Sequence, residues 1–360
     1  MGPNYGRLVD IHLASFESFR TRVPDGVTFH PISGRPLTNN FKTIDGANIN
    51  ESAGKNSTAT RQSIFLIIAS PETLSDAVTS TPGFFGAIRG IIKMTSLLHA
   101  EPPEEYIATA QSVEALLSDL QPTLAVVENF LDAARDAIVK KQQPYVLLTP
   151  NTLKEVAAGD QGFGLFNWPG PAAGYPYPLP RHLFLPNALL FLFFPIWLRF
   201  FDARYAALQR HRHAAGYVGD WPIFSARDPR APVLCMSHPA ADYAARIPEG
   251  VVCCGPILRD SAAVEDVDAE LFAWLGRRRW TVLVVLGSLL KVDREYAVAV
   301  WDACRVLLAE RKDVQVLWKL QKGGDTGTPQ VILSPWFDCH DFANRAEWLG
   351  VGKWGNKQAA

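Results

Sequence analysis

The chain has no excess of charge of either sign. Its 360 residues carry 35 Lys and Arg against 36 Asp and Glu, so electrostatics gives no reason to expect nucleic acid as a partner. Cysteine is scarce. The five residues Cys235, Cys253, Cys254, Cys304 and Cys339 are odd in number and lack metal-ligand spacing. That argues against a disulfide framework and for a reducing, cytoplasmic compartment. A hydrolase nucleophile elbow is unsupported, because Gly287-Ser288 is not embedded in G-x-S-x-G. His211 and His213 flank Arg212 on an expected helix, and an i, i+2 pair does not share a helical face, so no metal site is expected there. No secretory signal pattern opens the chain, since "GRLVDIHLASF" (6–16) already alternates like a strand, and no internal repeat is present.

What is present is an ordinary soluble composition, 48% hydrophobic and 20% charged, long enough for two domains. Strands are expected at 8–14, 26–32, 123–128 and 144–149. Helices are expected at 131–141 and 104–120, the latter with Ile107, Ala110, Val113, Leu116, Leu117 and Leu120 on one stripe. Strand–helix–strand units with apolar strands indicate a parallel sheet covered on both faces. The five prolines of "NWPGPAAGYPYPLP" (167–180) require an irregular, rigid loop.

The next segment, "RHLFLPNALLFLFFPIWLRFFDARY" (181–205), is the most apolar of the chain. Pro186 and Pro195 leave only eight uninterrupted residues between them, against about 20 for a bilayer span. A buried or cleft-lining helical hairpin is the favoured reading, with membrane-surface contact through 181–201 and a true span as the alternatives.

After "GVVCCGPIL" (250–258) the acidic run "RDSAAVEDVDAEL" (259–271) has the composition of a linker. A second sheet then begins, with strands expected within 277–288 and at 314–318, and a helix to about 310 that starts on Asp293 as N-cap. "GGDTGT" (323–328) could offer backbone N–H groups to a phosphate, but it leads into Pro329 and a strand-like run rather than a helix. Parallel neighbours need a crossover of about a dozen residues, and 321–328 supplies eight. Something expected between those strands is not there.

The segments "EGVVCCGPIL", "AWLGRRRWTVLVVLGSL", "VQVLWKL" and "GTPQVILSPWFDCHDFANRAEWLGVG" resemble, in order and spacing, the UDP-glycosyltransferases of the UDP-glucosyl/glucuronosyl type, fungal members most closely. The resemblance covers most of the chain. It implies an α/β protein of two facing Rossmann-like domains, the glycosyltransferase B-type architecture, both incomplete here. The domains implied are an acceptor-binding domain over 1–257, a linker at 258–271 and a reduced nucleotide-sugar domain over 272–360. In that family a His after the first strand deprotonates the acceptor hydroxyl, an acidic residue orients the His, and UDP leaves with inversion at the anomeric carbon. Carried over by position, the resemblance implies Glu128 as the orienting acid, although a strand-end carboxylate facing solvent explains it as well. It implies Gly287 and Ser288 near the donor phosphates. It also implies donor-sugar contacts from Asp338 or Asp341, with His340 and Asn344.

The first strand with its catalytic His, the uracil and diphosphate segment between Lys322 and Gly327, and the helices after "GVG" have no counterpart. A wrongly joined gene model would explain the internal gap. The function implied is hexosyl transfer from a UDP-sugar, used as co-substrate without cofactor or metal, to a hydroxyl of a small lipophilic acceptor. The missing segments predict an impaired or inactive chain. The alternative is a non-catalytic module that binds a lipophilic ligand or a membrane surface.

Overall fold

The computed structural model describes residues 10–34, 81–98, 101–219, 228, 230–258, 261–285, 294–319, 345, 348 and 349. The chain divides into two compact units, Met1–Ile257 with Phe337–Ala360, and Leu258–Trp336. All strand pairs among the described residues are parallel.

The first unit is centred on a four-stranded sheet in chain order: β3 (Ala125–Glu128), β4 (Tyr145–Thr149), β5 (Val233–Cys235) and β6 (Val251–Cys253). Leu147 pairs with Val233, and Cys235 with Cys253. Leu147 and Val233 are almost wholly buried, in a core shared with Val127, Ala137, Ile138 and Val156. Tyr145, Leu147 and Thr149 are buried and the two residues between them half-buried, which is the covering on both faces that parallel sheets require. The crossover from β3 to β4 is helix α3 (Asp132–Lys140). It packs against α2 (Pro103–Leu120), which opens on a proline at its first position, where a missing N–H costs nothing. The buried face of α2 is Tyr106, Thr109, Ala110 and Val113. It is therefore shifted toward the start of the helix relative to the expected stripe, because Tyr106 and Thr109 find hydrogen-bond partners inside.

A separate two-stranded sheet pairs β1 (His12–Phe16) with β2 (Thr28–Ile32). The alternation around residues 9–13 predicts a buried apolar face, yet Ile11 is 58% exposed and Leu13 38%. No described element covers that side of β1, so the pattern has nothing to pack against.

The apolar segment also departs from expectation. Helix α5 runs without a break over Phe184–Phe200. Pro186 sits in the first turn, where N–H groups have no intrahelical partner, and Pro195 lies inside the helix. It is not a buried hairpin: its buried residues are Asn187, Leu190, Trp197 and Leu198. Gly170, in the proline-rich loop, rests directly on α5. A Cβ there would stand 3.1 Å from Asn187 Oδ1 and 3.3 Å from Leu190 Cβ. Helices α1 (Phe84–Leu98) and α6 (Ala203–Ala214) complete the layer around α5. Between them in the chain, α4 (Leu153–Ala157) carries a Thr152/Glu155 capping box.

In the second unit, β7 (Trp280–Val285) pairs with β8 (Val314–Lys319), with helix α9 (Arg294–Glu310) between them in sequence. The acidic stretch expected to be a plain linker carries α7 (Val264–Val267) and leads into α8 (Ala269–Leu275), whose N-cap Asp268 accepts from Leu271 N–H. Asp293, the expected cap of α9, lies outside the described residues.

Candidate functional site

In open parallel α/β sheets ligands sit outside the carboxyl ends of the strands, and polar side chains gather at that edge of the four-stranded sheet. Glu128 closes β3. Its Oε2 accepts the Phe130 backbone N–H at 2.8 Å, and its own carbonyl accepts Leu131 N–H. Desolvation raises the Glu128 pKa, and the N–H groups of Phe130 and Asn129 oppose the rise. The side chain is exposed and makes no hydrogen bond to a His among the described residues.

At the end of β4, Thr149 Oγ1 accepts Asn151 N–H at 3.1 Å, and the Cys235 thiol of β5 donates to the Asn151 carbonyl at 3.4 Å. Burial pushes the Cys235 thiol up to about 11, so this is an inert thiol rather than a nucleophile. Below them Asp242, 1% exposed, accepts from Tyr243 N–H and Arg345 Nη1 at 2.8 and 2.9 Å. Trp348 closes on Tyr177 at a ring separation of 5.2 Å, and Tyr177 meets Tyr243 at 4.4 Å. Arg345 follows Asn344 directly in sequence, and Trp348 comes three residues after Arg345. The contacts described for them are within the first unit, whereas the sequence reading assigns 272–360 to the second domain.

A second polar cluster lies between helices. Arg212 forks onto Asp136 through Nε and Nη2 at 2.6 and 2.7 Å, Tyr106 Oη donates to Asp136 Oδ2 at 2.7 Å, and Arg212 Nη1 donates to Gln209 Oε1. Asp132 lies beside this group, 3.8 Å from Arg135, with Oδ1 lacking a hydrogen-bond partner among the described residues. Burial pushes its carboxyl up to about 7; Arg135 pulls the other way, while Asp136 and Glu128 add to the rise. The sequence reading passed over Arg212 in favour of its histidine neighbours. His211 instead bonds the Ala207 carbonyl and pairs with Glu104.

His12 Nδ1 and His30 Nε2 are 2.8 Å apart across the β1–β2 pair. Sequence reasoning gave neither a role, because their meeting depends on strand register. The pair is exposed and sits at the first residue of β1, away from the carboxyl ends where a base would be needed.

Six expected site residues, Gly287, Ser288, Asp338, His340, Asp341 and Asn344, lie outside the described residues, as does the stretch 320–344 that contains the short crossover. The described part of the second unit has an open pocket of about 530 Å³ lined by Trp274, Arg277, Trp301, Gln315 and Trp318, among others. Arg277 precedes β7 and Gln315 opens β8. The lining runs from Val314 to Trp318 and so follows the length of β8.

Parallel strand–helix–strand units of this kind form a fold class that hosts many unrelated functions. Within that class the chain is glycosyltransferase-like. It is 27% identical to the glycosyltransferase sdnJ of Sordaria araneosa, over 97% of this chain and 78% of the relative. That alignment is 417 positions long against the 360 residues here, so at least 57 positions of the relative face gaps in this chain. No family model matches. Among solved structures, the calicheamicin glycosyltransferase CalG4 is 14% identical, covering 87% of this chain and 58% of its own, with a TM-score of 0.41. A transferase from Siraitia grosvenorii in complex with UDP is 13% identical, covering 97% and 67%, with a TM-score of 0.38. At these scores the structural likenesses carry no argument of their own. The chain spans little more than half of the solved structures it resembles first, 54% and 58%.

Proposed function

We propose that this chain derives from an inverting UDP-sugar-dependent glycosyltransferase that transfers a hexosyl group to a hydroxyl of a small lipophilic acceptor, and that in its present form it does so weakly or not at all. The observation that carries the transferase reading is the similarity to a glycosyltransferase along nearly the whole chain. Two features support impairment. The alignment leaves at least 57 positions of the relative unmatched. Glu128, the candidate orienting acid, is engaged by the Phe130 backbone N–H with no His beside it among the described residues. A carboxylate held this way can fix a turn, but it cannot orient a base it does not touch.

In this reading the acceptor sits at the carboxyl edge of the four-stranded sheet in a cytoplasmic protein. The donor contacts come from Gly287, Ser288, Asp338 or Asp341, His340 and Asn344. Neither a metal nor a cofactor takes part. The attacking hydroxyl forms the new C1–O bond as the C1–O bond to UDP breaks; UDP carries away the electron pair, and the hydroxyl proton passes to water for want of a positioned base.

The test is UDP release by the purified chain, with UDP-hexoses and a panel of lipophilic alcohols and phenols, beside separate equilibrium titrations of UDP and of the aglycones. Slow UDP release that requires an acceptor is expected. Turnover at about 10 s⁻¹, the middle of the usual enzymatic range, would remove the claim of impairment. Tight aglycone binding with no UDP binding and no UDP release would remove the transferase reading in favour of a binding module.

A further inference from the structure

The two faces of helix α5 differ completely in burial. Asn187, Leu190 and Leu198 on one side are fully buried. On the other side Leu185, Leu189, Leu192, Ile196 and Phe200 are between 46% and 75% exposed. They recur every three or four residues and so form one stripe along the helix. The stripe continues past the start of the helix. Phe184 is exposed and lies 6.4 Å from the Phe166 ring, which lies 6.4 Å from Phe163, itself 90% exposed. Within the segment that carries the stripe, between Asp160 and Asp202, charged side chains have one sign only. From Gln161 to Phe201 there is no Asp or Glu, while Arg181 and His182 stand just before the helix and Arg199 near its end. All three basic residues are exposed.

We propose that this face docks on the surface of a bilayer containing anionic lipids, with α5 lying in the interfacial plane. An apolar stripe immersed at the acyl boundary, with basic side chains beside the headgroups where the helix begins, is the composition that favours such binding; Arg199, at the far end, donates to Tyr205 Oη at 3.4 Å. The segment Arg181–Phe200 is long and apolar enough to cross a membrane by length and composition, but its buried face opposes a span. Asn187 Oδ1 accepts Gly170 N–H at 2.6 Å, and its Nδ2 donates to the carbonyls of Phe166 and Trp168 at 2.9 and 2.8 Å. Extracting the helix into lipid would strand all four groups, which is costly in hydrocarbon. The inference does not rest on the transferase reading, because none of these residues is assigned to the reaction.

Flotation of the full chain with vesicles tests it. Phosphatidylcholine alone is compared with phosphatidylcholine mixed with phosphatidylserine, at low and high salt. The chain is expected to float with the mixed vesicles, less so at high salt. Leu189→Glu/Leu192→Glu should lower the bound fraction about tenfold or more, with the thermal unfolding curve unchanged. If that variant fails to fold, Leu185→Ser/Ile196→Ser serves in its place. Arg181→Gln should weaken binding to the mixed vesicles only. Failure to float with any vesicle, or flotation of the stripe variant equal to that of the unaltered chain, overturns the proposal. So does light scattering that shows a dimer abolished by the stripe variant without vesicle binding, since the face would then belong to a second copy.

Discussion

Arg212 carries a permanent charge with none of its surface exposed. Its tolerance of that position rests on the two parallel bonds to Asp136, which is itself held by Tyr106. A fork of this kind is matched by guanidinium and not by an ammonium. Arg212→Met would leave the Asp136 carboxylate buried beside one phenol, and the expected loss is about 3–5 kcal/mol, read as a lower urea midpoint. Adding Asp136→Leu should recover part of that loss, because the double variant buries no unpaired charge. Asp132 behaves in the opposite sense. Its folded-state value of about 7 stands above the ordinary 3.8, so the folded protein keeps a proton that the unfolded chain has released. Its contribution to stability is therefore greatest below pH 4, falls as pH rises through 7, and is flat beyond. Asp132→Asn removes that fall. Relative to the unaltered chain it should gain stability between pH 4 and 7, levelling at roughly 4 kcal/mol or less. Urea titrations at several pH values check this, and a pH-independent difference would show that Asp132 keeps its charge on folding.

At the scale of elements, Asn187 ties together α5 and the loop 167–180. Between Trp168 and Pro180 the loop has no helix or strand to satisfy its backbone, so its Gly170 N–H and Trp168 carbonyl, with the carbonyl of Phe166 just before the loop, bond to one buried amide. Asn187→Ala removes three bonds and leaves a void, and a loss of about 2–4 kcal/mol is expected. Trypsin cleavage at Arg181 should speed up in parallel; an unchanged cleavage rate would mean the loop is held by its prolines alone. Much of the element list is legible in the sequence. The strands β3 and β4 and the helices α2 and α3 fall within one or two residues of their expected bounds, because each couples an apolar run or stripe to a proline or Asp boundary. Strand β5 is not legible, since three residues carry no period and only pairing with β4 and β6 defines it. Pro195 suggests a break that the structure lacks. A proline removes one hydrogen bond, and the packing of Leu190, Trp197 and Leu198 on either side of it outweighs that loss. Of the candidate site, only Glu128 could be placed, and its bond to Phe130 N–H is a local turn that sequence spacing does not reveal. The Arg212–Asp136 fork joins residues 76 apart in the chain, a separation that no local pattern encodes.

Over the whole molecule, the described parts of the two units differ in how much core they show. The first surrounds its four-stranded sheet with buried side chains from α2, α3 and the loops. In the second, β7 is exposed along most of its length, with Leu283 at 63% and Trp280 at 54%. Its buried described residues are Cys304, Val314 and Gln315. Gln315 has to satisfy its amide on the carbonyls of Trp274 and Leu275 and on Thr281 Oγ1. Apolar burial is the main source of stability, at about 25 cal/mol per Å², so β7 and β8, with so few buried side chains among the described residues, should open at lower free energy than β4 and β5. Native-state hydrogen exchange should therefore separate them. The amides of β4 and β5 are expected to exchange only through global unfolding, with rates that follow denaturant steeply. Those of β7 and β8 should exchange at least about a hundredfold faster and with shallow denaturant dependence. The Arg212→Met substitution makes the measurement specific to a unit. It should accelerate β4 and β5 while leaving β7 and β8 unchanged, because they already open without the first unit. Equal protection of β4 and β8, or acceleration of both by Arg212→Met, would show that the units unfold as one.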